Sequence, residues 1–239
     1  MATAAITYTW IESPERKPAV SHAPAGLTSG RRANARPVGD WFRPVDIAVA
    51  LLALLAFAPL LVLVALAVRL TSPGPVLFAH KRVGRGGRIF ACFKFRTMVI
   101  DDDARLHLLL ANDPAALAEW QKDHKLRNDP RITRVGNFLR RSSLDELPQL
   151  FNVLRGSMSL VGPRPIVAGE VARYGNRFCD YCKVRPGITG LWQVNGRSNT
   201  SYRQRVAMDV LYVRRRSLAL NGMIIAKTLP AVMLQRGSC

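Results

Sequence analysis

The sequence predicts a mostly helical α+β fold of the monotopic membrane type: an N-terminal re-entrant helix hairpin broken at Pro59, a short β-hairpin, and amphipathic interfacial helices. Three observations predict it. The stretch Ile47–Val68 holds 22 residues without a charged or strongly polar side chain. Both of its flanks are basic, with Arg31, Arg32, Arg36 and Arg43 before it and Arg69, Lys81, Arg82, Arg85 and Arg88 after it. Beyond it, two short β-leaning runs enclose a glycine-rich turn, and apolar residues at helical spacing follow.

Composition narrows the class further. Of 239 residues, 35 are Lys or Arg and 16 Asp or Glu, a formal net charge of +19, yet 49% are hydrophobic. A basic disordered chain would be poorer in apolar residues, a polytopic membrane protein would carry several long apolar runs, and a disulfide scaffold would need more than four cysteines. What remains is a basic globular protein with one apolar segment, working beside an anionic partner: nucleic acid, a membrane face or phosphorylated substrates. Cys179 and Cys182 form a lone C-x-x-C pair, too few ligands for a zinc site. With Cys92 and Cys239 they read as free thiols.

Residues 1–40 scatter Pro, Ala, Ser, Gly and Arg without a period, which predicts a mobile basic tail and lacks the order of a signal peptide. Residues 41–70 hold the apolar run. As a helix, Ile47–Val68 is about 33 Å long at roughly 1.5 Å per residue, enough to cross a hydrocarbon core. No acid lies between Asp46 and Asp101, so the positive-inside rule draws both flanks to the cytoplasm. A proline at the middle of the run removes a helix hydrogen bond and crowds the preceding turn. A helix that enters, breaks at Pro59 and returns meets both conditions; a span kinked at Pro59 is the rival. Thr71-Ser-Pro-Gly-Pro75 stops the helix. Val76–Arg82 and Arg88–Phe95 flank Gly84-Arg-Gly-Gly87 as a hairpin. Asp101–Lys125 is helical in composition and broken at Asn112-Asp113-Pro114. Asn137–Arg155 has helical spacing interrupted by Pro148. Gly156–Pro165 and Pro186–Gly190 read as loops, and Ser217–Leu234 as an interfacial helix pair.

The stretch richest in chemistry is Leu139-Arg-Arg-Ser-Ser-Leu-Asp-Glu-Leu-Pro-Gln149. Ser143 and Glu146 have capping-box spacing, and Pro148 fits only near a helix start. Asp145 and Glu146 therefore fall at a helix N-terminus, where the dipole favours ionised carboxylates and welcomes phosphate. Adjacent residues on a helix point about 100° apart, so two roles suit them better than one: one carboxylate attacks phosphorus, the other holds a divalent cation. The alternative is that both only cap the helix. Lys94, Arg96, Arg134, Arg140, Arg141 and Arg164 crowd the sequence around them, and arginine suits bidentate phosphate recognition. Arg164 sits between two prolines on a stiff loop. His22, His80, His107 and His124 are dispersed and offer no transition-metal site.

Seven ordered motifs then carry a resemblance: Ser72-Pro-Gly-Pro-Val76, Lys81-Arg-Val-Gly84, Phe93-Lys-Phe-Arg-Thr-Met98, Asp129-Pro-Arg-Ile-Thr133, Ser143-Leu-Asp-Glu-Leu-Pro-Gln-Leu150, Ser159-Leu-Val-Gly-Pro-Arg-Pro165, and Pro186-Gly-Ile-Thr-Gly190 with Gln193. From about Arg43 onward the chain resembles the monotopic phosphoglycosyl transferases of the bacterial sugar transferase family. The segments Lys227–Val232 and Arg236–Cys239 resemble the short members that prime exopolysaccharide repeat units with galactose 1-phosphate. The resemblance implies transfer of a sugar 1-phosphate from a UDP-sugar to undecaprenyl phosphate with release of UMP, by a ping-pong route. Carried onto this chain, Asp145 is the nucleophile and Glu146 the Mg²⁺ ligand, while Arg140 and Arg164 match phosphate-handling arginines. Gln193 and Asp209 lie in further family motifs, so the expected substrate-binding set is Lys94, Arg96, Arg140, Arg164, Gln193 and Asp209. A re-entrant helix with both ends cytoplasmic is also implied, as are an inner-membrane location and a catalytic domain over residues 71–239. The implied partners are the UDP-sugar, undecaprenyl phosphate, an anionic lipid face and downstream polysaccharide glycosyltransferases, with a homo-oligomer open and nucleic acid excluded. The chain departs from the family pattern at Ala58 (usually Ser), at Phe42-Arg43 (usually Lys-Arg), and at Arg216 and Asn221 (usually Trp and Asp).

UDP-glucose or a UDP-N-acetylated sugar stays open as donor. A membrane-tethered scaffold or nucleic-acid binder is the non-enzymatic alternative. No nucleic-acid motif appears, and the basic residues are not interleaved with stacking aromatics. The charge flanks predict that tags at residues 1 and 239 are both shielded from periplasmic labelling reagents; a labelled N-terminus overturns the hairpin.

Overall fold

The apolar run organises everything after it. In the computed structural model, which describes residues 42–123, 126, 128–196 and 200–233, helix α1 spans Arg43–Thr71. The tail expected over residues 1–40 and the residues Arg236–Cys239 lie outside the described residues. Proline in the first turn of α1 costs no hydrogen bond, and Ser72 in an extended conformation ends the helix before Pro73. Pro59 lies inside α1, so the break expected there is not a stop in the helix. α1 is the one described helix long and apolar enough to cross a membrane.

Both ends of α1 rest on the same body. At the start, the Arg43 guanidinium donates to the carbonyls of Leu154 (3.0 Å) and Met158 (3.4 Å), and the buried Asp46 carboxylate accepts from the Ser159 hydroxyl (2.7 Å) and the Leu160 amide (3.3 Å). At the finish, Val64 and Val68 pack with Phe95 and Leu139. Between them, Leu55 through Pro59 are exposed.

The predicted hairpin forms: β1 (Leu77–Val83) pairs antiparallel with β2 (Ile89–Phe95), in a register that sets Phe78 against Lys94, His80 against Cys92 and Arg82 against Phe90. Gly86 and Gly87, at φ 68° and 74°, close the turn in the left-handed region that glycine tolerates. α2 (Asp102–Asn112) and α3 (Pro114–Asp123) follow, divided at Asp113 as expected. α4 (Arg134–Ser142) is capped by the Thr133 hydroxyl, which accepts from the Gly136 amide at 2.8 Å.

Two expectations are corrected next. The helical stretch 137–155 breaks first at Ser143, ahead of Pro148. Ser143 is the C-cap of α4 at φ 58°, the one non-glycine with positive φ among the described residues, and its side chain forms no cap hydrogen bond. The capping box with Glu146 is therefore not made; Leu144–Glu146 instead form a single 3₁₀ turn, and Pro148 is the N-cap of α5 (Gln149–Arg155). The regions read as loops hold a parallel strand pair, β3 (Ser159–Val161) with β4 (Gly187–Thr189). Three residues per strand are too few for a periodicity signal. The pairing also needs Gly187, because a Cβ there would collide with the Gly162 amide.

The remaining chain is helical: α6 (Val171–Tyr174), α7 (Phe178–Tyr181), α8 (Leu191–Asn195), α9 (Tyr202–Arg215) and α10 (Leu218–Met233). Ser201 and Gln204 cap α9 reciprocally. The helix pair expected over residues 217–234 is one helix with Pro230 inside it. The core gathers Ala50 of α1 with Leu150, Val153, Met158, Leu160, Tyr212 and Ile224; a second cluster joins Val83, Ile166, Tyr174 and Tyr181. The C-x-x-C cysteines divide, Cys182 buried and Cys179 exposed, and both are free thiols as expected.

Asp46 is the polar anchor between α1 and β3. Asp46→Ala leaves the Leu160 amide without its acceptor, a loss of about 1–3 kcal/mol. We expect Tm in nanodiscs to fall by several degrees; an unchanged Tm would show that the anchor contributes nothing.

Candidate active site

The site is built on the left-handed turn at Ser143. That residue reverses the chain at the end of α4 and points the following 3₁₀ turn toward the hairpin, where β2 presents Lys94. The Lys94 ammonium lies 2.7 Å from Glu146 Oε1 and 3.5 Å from Asp145 Oδ2, so one cation bridges both carboxylates. Asp145 is 7% exposed. Arg164, on the loop after β3, brings Nη1 to 3.9 Å from Glu146 Oε1. Arg140, on the last turn of α4, donates from Nε to the Thr97 hydroxyl at 2.8 Å and acts electrostatically on Asp145.

The two carboxylates are driven apart. Burial pushes the Asp145 carboxyl above its ordinary value and the neighbouring Glu146 adds to this, against the pull of Lys94 and Arg140. Burial also acts on Glu146, but Lys94, Arg164 and Arg82 overcome it and hold that carboxyl down at about 2. The helix terminus was expected to favour ionised Asp145. The direction is the reverse, because Asp145 sits in the 3₁₀ turn ahead of α5 and desolvation dominates there.

Not all the expected residues join the cluster. Lys94, Arg140 and Arg164 do. Arg96 does not: it is 7% exposed, and its guanidinium donates to the carbonyls of Pro73 (2.6 Å) and Ser72 (2.7 Å), tying the exit of α1 to β2. Those contacts hold the fold together at the exit of α1. Gln193 donates to the Ile188 carbonyl at 3.2 Å, behind β4. Asp209 is buried on α9, where it accepts from the Tyr174 hydroxyl at 2.7 Å; burial raises its carboxyl to about 7, with Tyr174 and the charge of Arg164 opposing.

Sequence reasoning missed Arg82. Together with Cys92, Lys94, Glu146, Gln149 and Arg164 it lines a cleft beside the carboxylate pair. The hairpin register was the available signal: Arg82, Cys92 and Lys94 all project from one face of the two-stranded sheet.

A divalent cation has a suitable donor here. Mg²⁺ takes one or two carboxylates and completes its shell with waters and substrate phosphates. Glu146, held ionised at the cleft, is a donor of that type, and no larger His, Cys, Asp or Glu cluster occurs among the described residues.

The chain is similar to known proteins along most of its length. The chain is 47% identical over 204 residues to the "Exopolysaccharide production protein ExoY" of Sinorhizobium fredii, covering 85% of this chain and 90% of the relative. It is 49% identical over 196 residues to the "Undecaprenyl-phosphate galactose phosphotransferase" of Salmonella typhimurium, and 44% identical over 199 residues to the "UDP-glucose:undecaprenyl-phosphate glucose-1-phosphate transferase" of Xanthomonas campestris. These matches cover 82% and 80% of this chain but only 41% and 38% of those longer relatives. The sequence profile described as bacterial sugar transferase matches residues 40–235. By that match, and by the 47% identity across nearly the whole of ExoY, the chain is an enzyme of the bacterial sugar transferase family.

Proposed function

We propose that the protein transfers a hexose 1-phosphate, with galactose 1-phosphate the favoured group, from a UDP-sugar to undecaprenyl phosphate. UMP is released and an exopolysaccharide repeat unit is primed. The observation that carries this reading is the pair of buried Asp145 and half-buried Glu146, bridged by Lys94 at the edge of a basic cleft. Galactose is favoured by the names of relatives at 49% and 47% identity. Glucose, named for relatives at 44% and 43%, is the second reading.

In this mechanism an Asp145 carboxylate oxygen attacks the sugar-bearing phosphorus. The P–O bond to UMP breaks and its electron pair leaves on the UMP phosphate. A phosphate oxygen of the lipid then attacks the same phosphorus, and the electron pair of the Asp145–phosphorus bond returns to the carboxylate. A carboxylate of raised basicity is the better nucleophile, and burial supplies that. Lys94, Arg140 and Arg164 hold positive charge where phosphoryl oxygens gather charge in the transition state. Glu146 would hold Mg²⁺, which would neutralise part of the diphosphate charge.

The membrane arrangement follows the same reading. A helix of 29 residues is roughly 44 Å long, and a straight span would carry one end far from the body. That both ends of α1 pack on one body, with Leu55–Pro59 exposed between them, supports a re-entrant element whose flanks share the cytoplasmic face. Such a helix would set the carboxylates at the depth of the lipid phosphate, and basic residues would hold anionic headgroups at about 1 kcal/mol each.

Two outcomes test the reading. UDP-galactose, Mg²⁺ and undecaprenyl phosphate should yield UMP, and Asp145→Ala should abolish it; equal activity in both proteins sinks the assignment. Lys94→Met should lower kcat of the folded protein by about 10²-fold or more, since the lost cation serves the transition state. A kcat within twofold of wild type would remove Lys94 from the mechanism.

A further inference from the structure

Arg82 is a half-buried cation lining the cleft. Its Nη1 donates to the Pro165 carbonyl at 3.2 Å, and among the described residues no carboxylate closes to a salt bridge with it. Burial and the nearby Arg164 guanidinium push its pKa down, while Glu170 and Glu146 oppose them from beyond salt-bridge distance. The backbone segments that carry the two arginines are fixed side by side. Val83 donates to the Ile166 carbonyl at 2.8 Å, which bridges the end of β1 to the Arg164 loop. The buried Tyr181 hydroxyl locks that bridge: it donates to the Val83 carbonyl at 2.7 Å and accepts from the Ile166 amide at 3.4 Å. Both arginines line the cleft beside Glu146. Keeping two like charges together on a stapled scaffold costs stability, and a bound anion offsets that cost.

We propose that Arg82 and Arg164 form one phosphate clamp that both substrates use in turn: it holds the UMP phosphate as it departs and then the undecaprenyl phosphate as it arrives. The inference rests on the transfer reading above. Displacement at phosphorus is in line, so the leaving oxygen stands opposite the Asp145 oxygen. The second step reverses the first with a different phosphate, so the incoming oxygen takes the same place. One subsite opposite Asp145 therefore serves both half-reactions. Of the cations facing the pair, Arg140 acts on Asp145, whereas Arg82 and Arg164 act on Glu146. Arg164 reaches to 3.9 Å from Glu146 and shares its cleft with Arg82, whereas Arg140 bonds the Thr97 hydroxyl and does not line that cleft, so the two arginines are assigned to the leaving-group side. No proton needs to move, because carboxylate and phosphate oxygens exchange the phosphorus between them.

Equilibrium binding to the full chain in nanodiscs tests the clamp independently of turnover. The probes are UMP, and nanodiscs carrying either undecaprenyl phosphate or, as an anionic-lipid control, phosphatidylglycerol alone. UMP should bind the wild-type protein in phosphatidylglycerol discs, and undecaprenyl phosphate should displace it competitively. Arg82→Gln should weaken both ligands at least tenfold. Arg82→Lys, which keeps the charge but loses the fork, should restore part of each affinity. Arg88→Ala, on the exposed hairpin turn, should change neither. Simultaneous binding of UMP and undecaprenyl phosphate would overturn the proposal, as would a loss in Arg82→Gln confined to one ligand or absent from both at unchanged Tm. Failure of the transfer reading would look different: both phosphates would compete for the clamp while UDP-galactose yielded no UMP.

Discussion

The arrangement depends on one cation placed between two carboxylates. Adjacent acids in a desolvated turn repel each other, and burial penalises each charge separately. The Lys94 ammonium, reaching Glu146 at 2.7 Å and Asp145 at 3.5 Å, makes the pair tolerable and also makes it unequal. Glu146 takes the close contact and stays ionised, while Asp145 keeps the longer one and a raised pKa. The close Lys94 contact, with Arg164 and Arg82 behind it, holds Glu146 down, while burial dominates at Asp145.

The rest of the fold holds that geometry. Lys94 is aimed by the hairpin register, and the hairpin is fixed by Arg96, whose guanidinium grips the carbonyls of Ser72 and Pro73 where α1 ends. The carboxylates are aimed by the left-handed Ser143. Arg164 is aimed by a loop that starts from a parallel strand pair so close that Gly187 admits no side chain. The apolar helix is thus part of the same mechanical unit as the site. Arg43 and Asp46 fasten its start to α5 and β3, and Val64 and Val68 fasten its finish to β2 and α4.

Much of this was legible in the sequence. The apolar run, the glycine turn of the hairpin, the break at Asp113 and the Asp145–Glu146 pair each carry a local signal: a period, a turn residue or a charge in an unusual place. What was not legible depends on partners distant in sequence. Arg96 reads as one more basic residue until the carbonyls of Ser72 and Pro73 are found against it. Arg82 became visible only when the register placed it on the face of Lys94. The capping box at Ser143 failed because a serine can also end a helix in the left-handed region, and the three-residue spacing to Glu146 is the same in both cases. β3 and β4 are too short to show a period, and their pairing is dictated by glycines whose reason is close approach of backbone.

The central claim is that Asp145 forms a covalent bond to the transferred phosphoryl group. The most direct test is mass spectrometry of the full-length protein after UDP-galactose and Mg²⁺ are added without undecaprenyl phosphate. The account predicts one hexose phosphate per chain, on the peptide containing Asp145, with one equivalent of UMP, and loss of the adduct when undecaprenyl phosphate is supplied. UMP formed only once the lipid phosphate is present, with no adduct, or an adduct on another residue, would contradict it.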